Sequence, residues 1–119
     1  MNQGKFREGV AHFAEAVRIR QGPETYFNLG LAYLQSGEPE NAVKNFSESL
    51  RLKPDSPSRQ YHLALALAAQ KDRSSTIASA KKARELALAT GQNDIVAKAN
   101  ALLDEQALGK SETPTPSLH

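Results

Sequence analysis

At 119 residues, with no cysteine, three histidines and a net charge of +2, the chain is one small domain whose composition leaves few chemistries open. There is no thiolate to bind a metal or act as a nucleophile, and His12, His62 and His119 are too widely spaced to present a ligand pair on one helical face. The basic excess is too slight to track a duplex backbone, no stretch reaches the roughly 18 apolar residues of a membrane span, and the first residues lack the apolar run of a signal peptide, so a soluble, cytoplasmic protein without metal or cofactor is expected.

Apolar residues recur at three- and four-residue steps with no strand-like alternation, which predicts helices over 4–20, 23–36, 40–53, 57–70, 74–90 and 93–108. The first carries an apolar stripe of Val10, Phe13 and Val17. Pro23 fits the opening turn of the second, and Gly37 follows its apolar run, which ends at Leu34. Pro54 and Pro57 bracket the loop after the third.

The helices repeat one another at 33 to 34 residues, with columns Gly9, Ala42, Thr76; Val10, Val43, Ile77; Phe13, Phe46, Ala80; Ala16, Ser49, Ala83; and Ile19, Leu52, Leu86. Tyr26, Leu29, Gly30 and Tyr33 return 34 residues later as Gln60, Leu63, Ala64 and Leu67. The sixth helix does not continue the series recognisably. Its stripe of Ile95, Val96, Ala99, Leu102 and Leu103 is backed by Asp94, Lys98, Ala101 and Glu105, the pattern of a cap. The tail from Gly109 to His119 has the composition of a disordered segment.

From Pro23 to Pro54, the series Tyr26, Leu29, Gly30, Tyr33, Gly37, Ala42, Phe46, Pro54 resembles a tetratricopeptide repeat. The resemblance implies an all-α fold, a right-handed superhelical stack of antiparallel helix pairs closed by a C-terminal capping helix. It divides the chain into 1–22, the second helix of an incomplete repeat; 23–56, a complete repeat; 57–91, a degenerate one; 92–108, the capping helix; and 109–119, the tail. It also implies a protein-interaction scaffold and not an enzyme, with a protein or peptide as partner.

In that family the first helix of each unit lines a concave groove. By alignment the groove residues here are Phe27, Asn28, Leu31 and Leu34 with Tyr61, His62 and Leu65, flanked by Glu24, Gln35, Ser58 and Ala69. Phe27 with Tyr61 and Leu31 with Leu65 are expected as stacked pairs, suited to a hydrophobic peptide or helix. The alternative is that these side chains pack against neighbouring or capping helices. Of the cations and amides with which some family members grip a terminal carboxylate, only Asn28 has a match, so that mode is rejected.

Two further readings remain. Val10, Phe13 and Val17 would face a helix that the first unit lacks, as expected of a piece cut from a longer array; a homo-oligomer that dimerises or stacks through this face is the alternative function. Lys71, Arg73, Lys81, Lys82 and Arg84 concentrate positive charge but have no interleaved aromatics, so nucleic-acid binding by the repeat is the weaker reading. The carboxylates fall at turns and outward positions, and neither a nucleophile motif nor a phosphate loop is present, so no catalytic residue is expected.

Overall fold

A computed structural model of the chain describes residues 3–112. Among them, helices α1 (Gln3–Ile19), α2 (Pro23–Gln35), α3 (Pro39–Leu52), α4 (Pro57–Ala69), α5 (Arg73–Thr90) and α6 (Asn93–Glu112) follow one another, and no strand occurs. The expected boundaries hold to within a residue except at the last, where α6 runs on to Glu112 instead of ending at 108. The remainder of the expected disordered tail, 113–119, lies outside the described residues.

Local chemistry sets the ends. Pro23, Pro39 and Pro57 each occupy the opening turn of a helix, where a missing N–H forfeits no hydrogen bond. Ser56 Oγ accepts from the Arg59 N–H at 3.3 Å, and an Asp72 carboxylate oxygen accepts from the Ser75 N–H at 3.2 Å, capping α4 and α5. Helices α2, α4 and α5 end alike, on left-handed residues Gly37, Lys71 and Gly91, with φ of 80°, 63° and 72°. After each of these residues the N–H of Glu38, Asp72 or Gln92 reaches back to the carbonyl of Tyr33, Leu67 or Ala87, at 2.9, 3.0 and 2.9 Å.

Lys71 stands where the unit before has Gly37, in a conformation that strains a Cβ. Lys71→Gly is therefore expected to raise stability by about 0.5–1 kcal/mol, the relief of strain exceeding the added freedom of the unfolded chain. A urea titration that shows no rise in midpoint would contradict it.

Consecutive helices pack on one another from α1 to α6. Helix α4 also touches both α2 and α6, whereas among the described residues α3 makes no comparable contact with α1 or α5. The row α2, α4, α6 is thus the tighter one and the stack curves toward it, giving a slab of 56 × 38 × 20 Å.

The core is a string of small clusters. In the first full unit Phe46, 0% exposed, joins Ala42 and Ala66, with Tyr33, Leu34 and Leu63 packed around them. The Phe46 ring lies on Gly30 so closely that a Cβ built there would come within 2.6 Å of two ring carbons. The next unit holds Ala64 and Ala80 in the same two columns, so bulk is redistributed from a Gly and Phe pair to an Ala and Ala pair, and Leu102 of α6 completes the cluster. Buried Ser49 donates its hydroxyl to the Pro23 carbonyl at 2.7 Å, tying the end of α3 to the start of α2.

Helix α6 continues the repeat after all, in place of the expected break in the series. Its buried residues Ile95, Ala99 and Leu102 follow Gln60, Ala64 and Leu67 by 35 residues, one more than the preceding step. Helix α5, at 18 residues, is also longer than α3 at 14, and the loop after it is shorter. The outward side of α6, with Asp94, Lys98, Ala101 and Glu105 exposed, keeps the polar character expected of a cap.

Candidate protein-binding groove

The inner side of the stack is lined by α2 and α4, and here the half-buried residues gather. Phe27, Leu31 and Leu34 lie against the Ala42, Phe46 and Ala66 cluster; Tyr61 and Leu65 lie against Ala64, Ala80 and Leu102. Asn28 is exposed, as are Glu24, Gln35 and Ala69, while Ser58 is half-buried. Each apolar side chain of the row gives one side to the core and keeps another toward solvent.

The aromatic contact between units differs from the expected pairing. The ring facing Phe27 is His62, edge-on at 5.2 Å and 87°, and not Tyr61. Tyr61 turns toward α6 and meets His62 at 5.6 Å. Likewise Leu31 sits in the cluster that contains Ala66, while Leu65 belongs to the next. Adjacent units are rotated, so spatial neighbours are 35 residues apart whereas aligned positions are 34 apart.

His62 Nδ1 lies 2.8 Å from the Ser58 carbonyl, which makes it the donor and leaves Nε2 as an acceptor in the neutral ring. Arg59, which carried no signal in the sequence, extends its guanidinium over the Phe27 face at 5.4 Å from the centroid, with a buried and unpartnered Nε. Burial, reinforced by the nearby Glu105 carboxylate, raises the Tyr61 phenol above its ordinary range. The result is an apolar strip with a cation at its edge.

The basic cluster is partly committed elsewhere. Arg73 donates to the Gln106 carbonyl at 3.1 Å, and Arg84 to Asn100 Oδ1 at 3.1 Å, so two of the five cations join α5 to α6, leaving exposed Lys71, Lys81 and Lys82. In α1, Val10, Phe13 and Val17 are all half-buried. Among the described residues no helix is long and apolar enough to cross a membrane.

Residues 23–56 match the tetratricopeptide repeat family model. Photosystem I assembly proteins Ycf3 of Synechococcus sp. strains CC9605 and CC9902 are 28% and 30% identical over 61 residues, 48% of this chain and 35% of theirs. The match thus spans about a third of the length of those relatives. PcrH, solved in complex with the chaperone binding region of PopD, superposes with a TM-score of 0.82 at 21% identity, covering 90% of this chain and 82% of that one; PcrH is a Pseudomonas aeruginosa protein. The Yersinia enterocolitica type III secretion chaperone SycD, in complex with a peptide of the translocator YopD, gives 0.80 at 17%, covering 90% and 83%. With the alignment columns, the stacked helix pairs and these matches in agreement, the chain is an all-α solenoid that carries a tetratricopeptide repeat at residues 23–56.

Proposed function

We propose that this protein is a non-catalytic protein-interaction scaffold whose inner face holds a hydrophobic peptide or amphipathic helix. The observation that carries the reading is the half-buried strip Phe27, Leu31, Leu34, Tyr61, His62 and Leu65 on the tighter side of the stack, edged by exposed Asn28. Such a strip offers apolar anchors at helical spacing together with a polar rim. The complexes of PcrH and SycD with segments of PopD and YopD lend support, since the same architecture holds a peptide in each.

Because Phe27, Tyr61 and Leu65 also support the core, the test uses an exposed position. Peptides selected from a displayed random library should be apolar at three- and four-residue steps. Asn28→Arg should weaken their binding at least about tenfold, roughly 1.4 kcal/mol, while Lys44→Glu on the outer helix α3 leaves it unchanged. Equal binding by Asn28→Arg and the unaltered protein would defeat the groove.

A second reading, self-assembly through α1, is favoured by one comparison. Phe13 is half-buried where its column mates Phe46 and Ala80 are 0% exposed. The same holds for Gly9 beside Ala42 and Thr76, and for Ala16 beside Ser49 and Ala83.

A further inference from the structure

Among the described residues Arg59, Arg73 and Arg84 are the half-buried arginines, and two of them have an acceptor, Arg73 in the Gln106 carbonyl and Arg84 in Asn100 Oδ1. Arg59 has none. Its Nε is closed off from solvent without a partner, and the ion pairs among the described residues are Arg18 with Glu15 and Arg51 with Glu48. Asp55 in the loop before α4, Glu24 in the first turn of α2 and Glu105 near Tyr61 are exposed, and none of them pairs with Arg59.

This cation is nevertheless fixed. The guanidinium lies over the Phe27 ring at 5.4 Å from its centroid, where the electron-rich face holds it. Its terminal nitrogens, unlike Nε, are within reach of solvent. A charge drawn half out of water without a counter-charge is costly, and one already held still loses little further freedom when an anion pairs with it.

We propose that the peptide held on the inner face carries an aspartate or glutamate whose side-chain carboxylate seats on the terminal nitrogens of Arg59. The proposal rests on the groove reading above and adds a requirement to its ligand. The planar fork presents parallel N–H groups that match the two oxygens of a carboxylate. Because the fork lies on Phe27, the acid stands beside the apolar residue that covers that ring, one helical turn away or less. A phosphate group fits worse, since it carries nearly two charges and is met by clustered arginines, whereas α2 and α4 hold no lysine or arginine besides Arg59. A chain-terminal carboxylate fits worse too, because only Asn28 remains of the set that grips one.

The displayed library supplies the probes. Peptides recovered on the unaltered protein should share an Asp or Glu beside an apolar position, and those recovered on Arg59→Met, which keeps an unbranched stem for Phe27, should lose it. One acidic peptide and its amide counterpart, with Asn or Gln in place of the acid, are then titrated by fluorescence anisotropy. The unaltered protein should bind the acid about tenfold more tightly than the amide, Arg59→Met should bind the two equally, and Arg59→Lys should keep part of the preference. Each ratio is taken on one protein, so a change in folded fraction cancels from it. The amide peptide, with no charge to offer an added arginine, reports the groove itself, and Asn28→Arg should still weaken it. If that weakening occurs while acid and amide bind alike, or if Arg59→Met keeps the preference, the Arg59 contact is overturned and the groove stands. An amide peptide indifferent to Asn28→Arg overturns the groove, and a phosphoserine that binds more tightly than the acid overturns the carboxylate.

Discussion

Phe46→Ala is expected to cost about 3–5 kcal/mol, the range for removing a large buried aromatic that leaves a cavity. The ring is 0% exposed and touches α2 at Gly30, α4 at His62 and the Phe27 ring at 5.5 Å, so three helices lose a shared contact. Gly30→Ala should cost about 1–3 kcal/mol from the clash with that ring, offset by up to about 1 kcal/mol of helix propensity. The two changes should couple. With Ala at 46 the obstruction is gone, and Gly30→Ala should then stabilise by about 1 kcal/mol, reproducing the Ala64 and Ala80 pair of the next unit. Urea unfolding of the four proteins in this cycle measures the coupling. Additive costs would mean that Phe46 does not hold Gly30 to its identity.

Leu102→Ala is expected to cost about 2–4 kcal/mol, whereas Leu108→Ala on the same helix should stay within about 0.5 kcal/mol. Leu102 is 5% exposed and joins the Ala64 and Ala80 cluster, while Leu108 is 62% exposed. The contrast tests the register of α6, because a cap shifted by one residue would take Leu102 out of the core. Tyr61 supplies a local readout. Its phenol is raised first by burial and then by Glu105 of α6, so its alkaline titration, followed by absorbance, should move back toward the ordinary range when Leu102→Ala loosens that helix. An unmoved titration with full stability would mean that Leu102 does not hold α6 against α4.

The first full unit was the most legible part of the chain because its column residues are distinctive. Tyr26, Gly30, Tyr33, Ala42 and Phe46 leave little choice of pattern, and the helices fall where that pattern puts them. In the next unit Gln60, Ala64 and Ala80 are common residues, and the phase there rested on the preceding copy. Helix α6 escaped recognition as a continuation because Ala99 stands 35 residues beyond Ala64, which breaks a search at fixed period.

The half-buried strip on α2 and α4 was readable as a set of residues but not as contacts. Alignment places Tyr61 under Phe27, but rotation between units hands that contact to His62, a fact of three-dimensional twist with no signature in spacing. Arg59 was invisible for another reason. A long cationic side chain gives no hint in sequence of whether it goes to water or lies over an aromatic face, as this one does.

The slab is 20 Å in its least dimension, so no side chain is more than about one helix diameter from water. A molecule of that thinness has no centre whose loss brings down everything at once. Damage to one joint is felt chiefly by the helices on either side of it. Length can be gained or shed by whole hairpins, with the remaining joints left as they were.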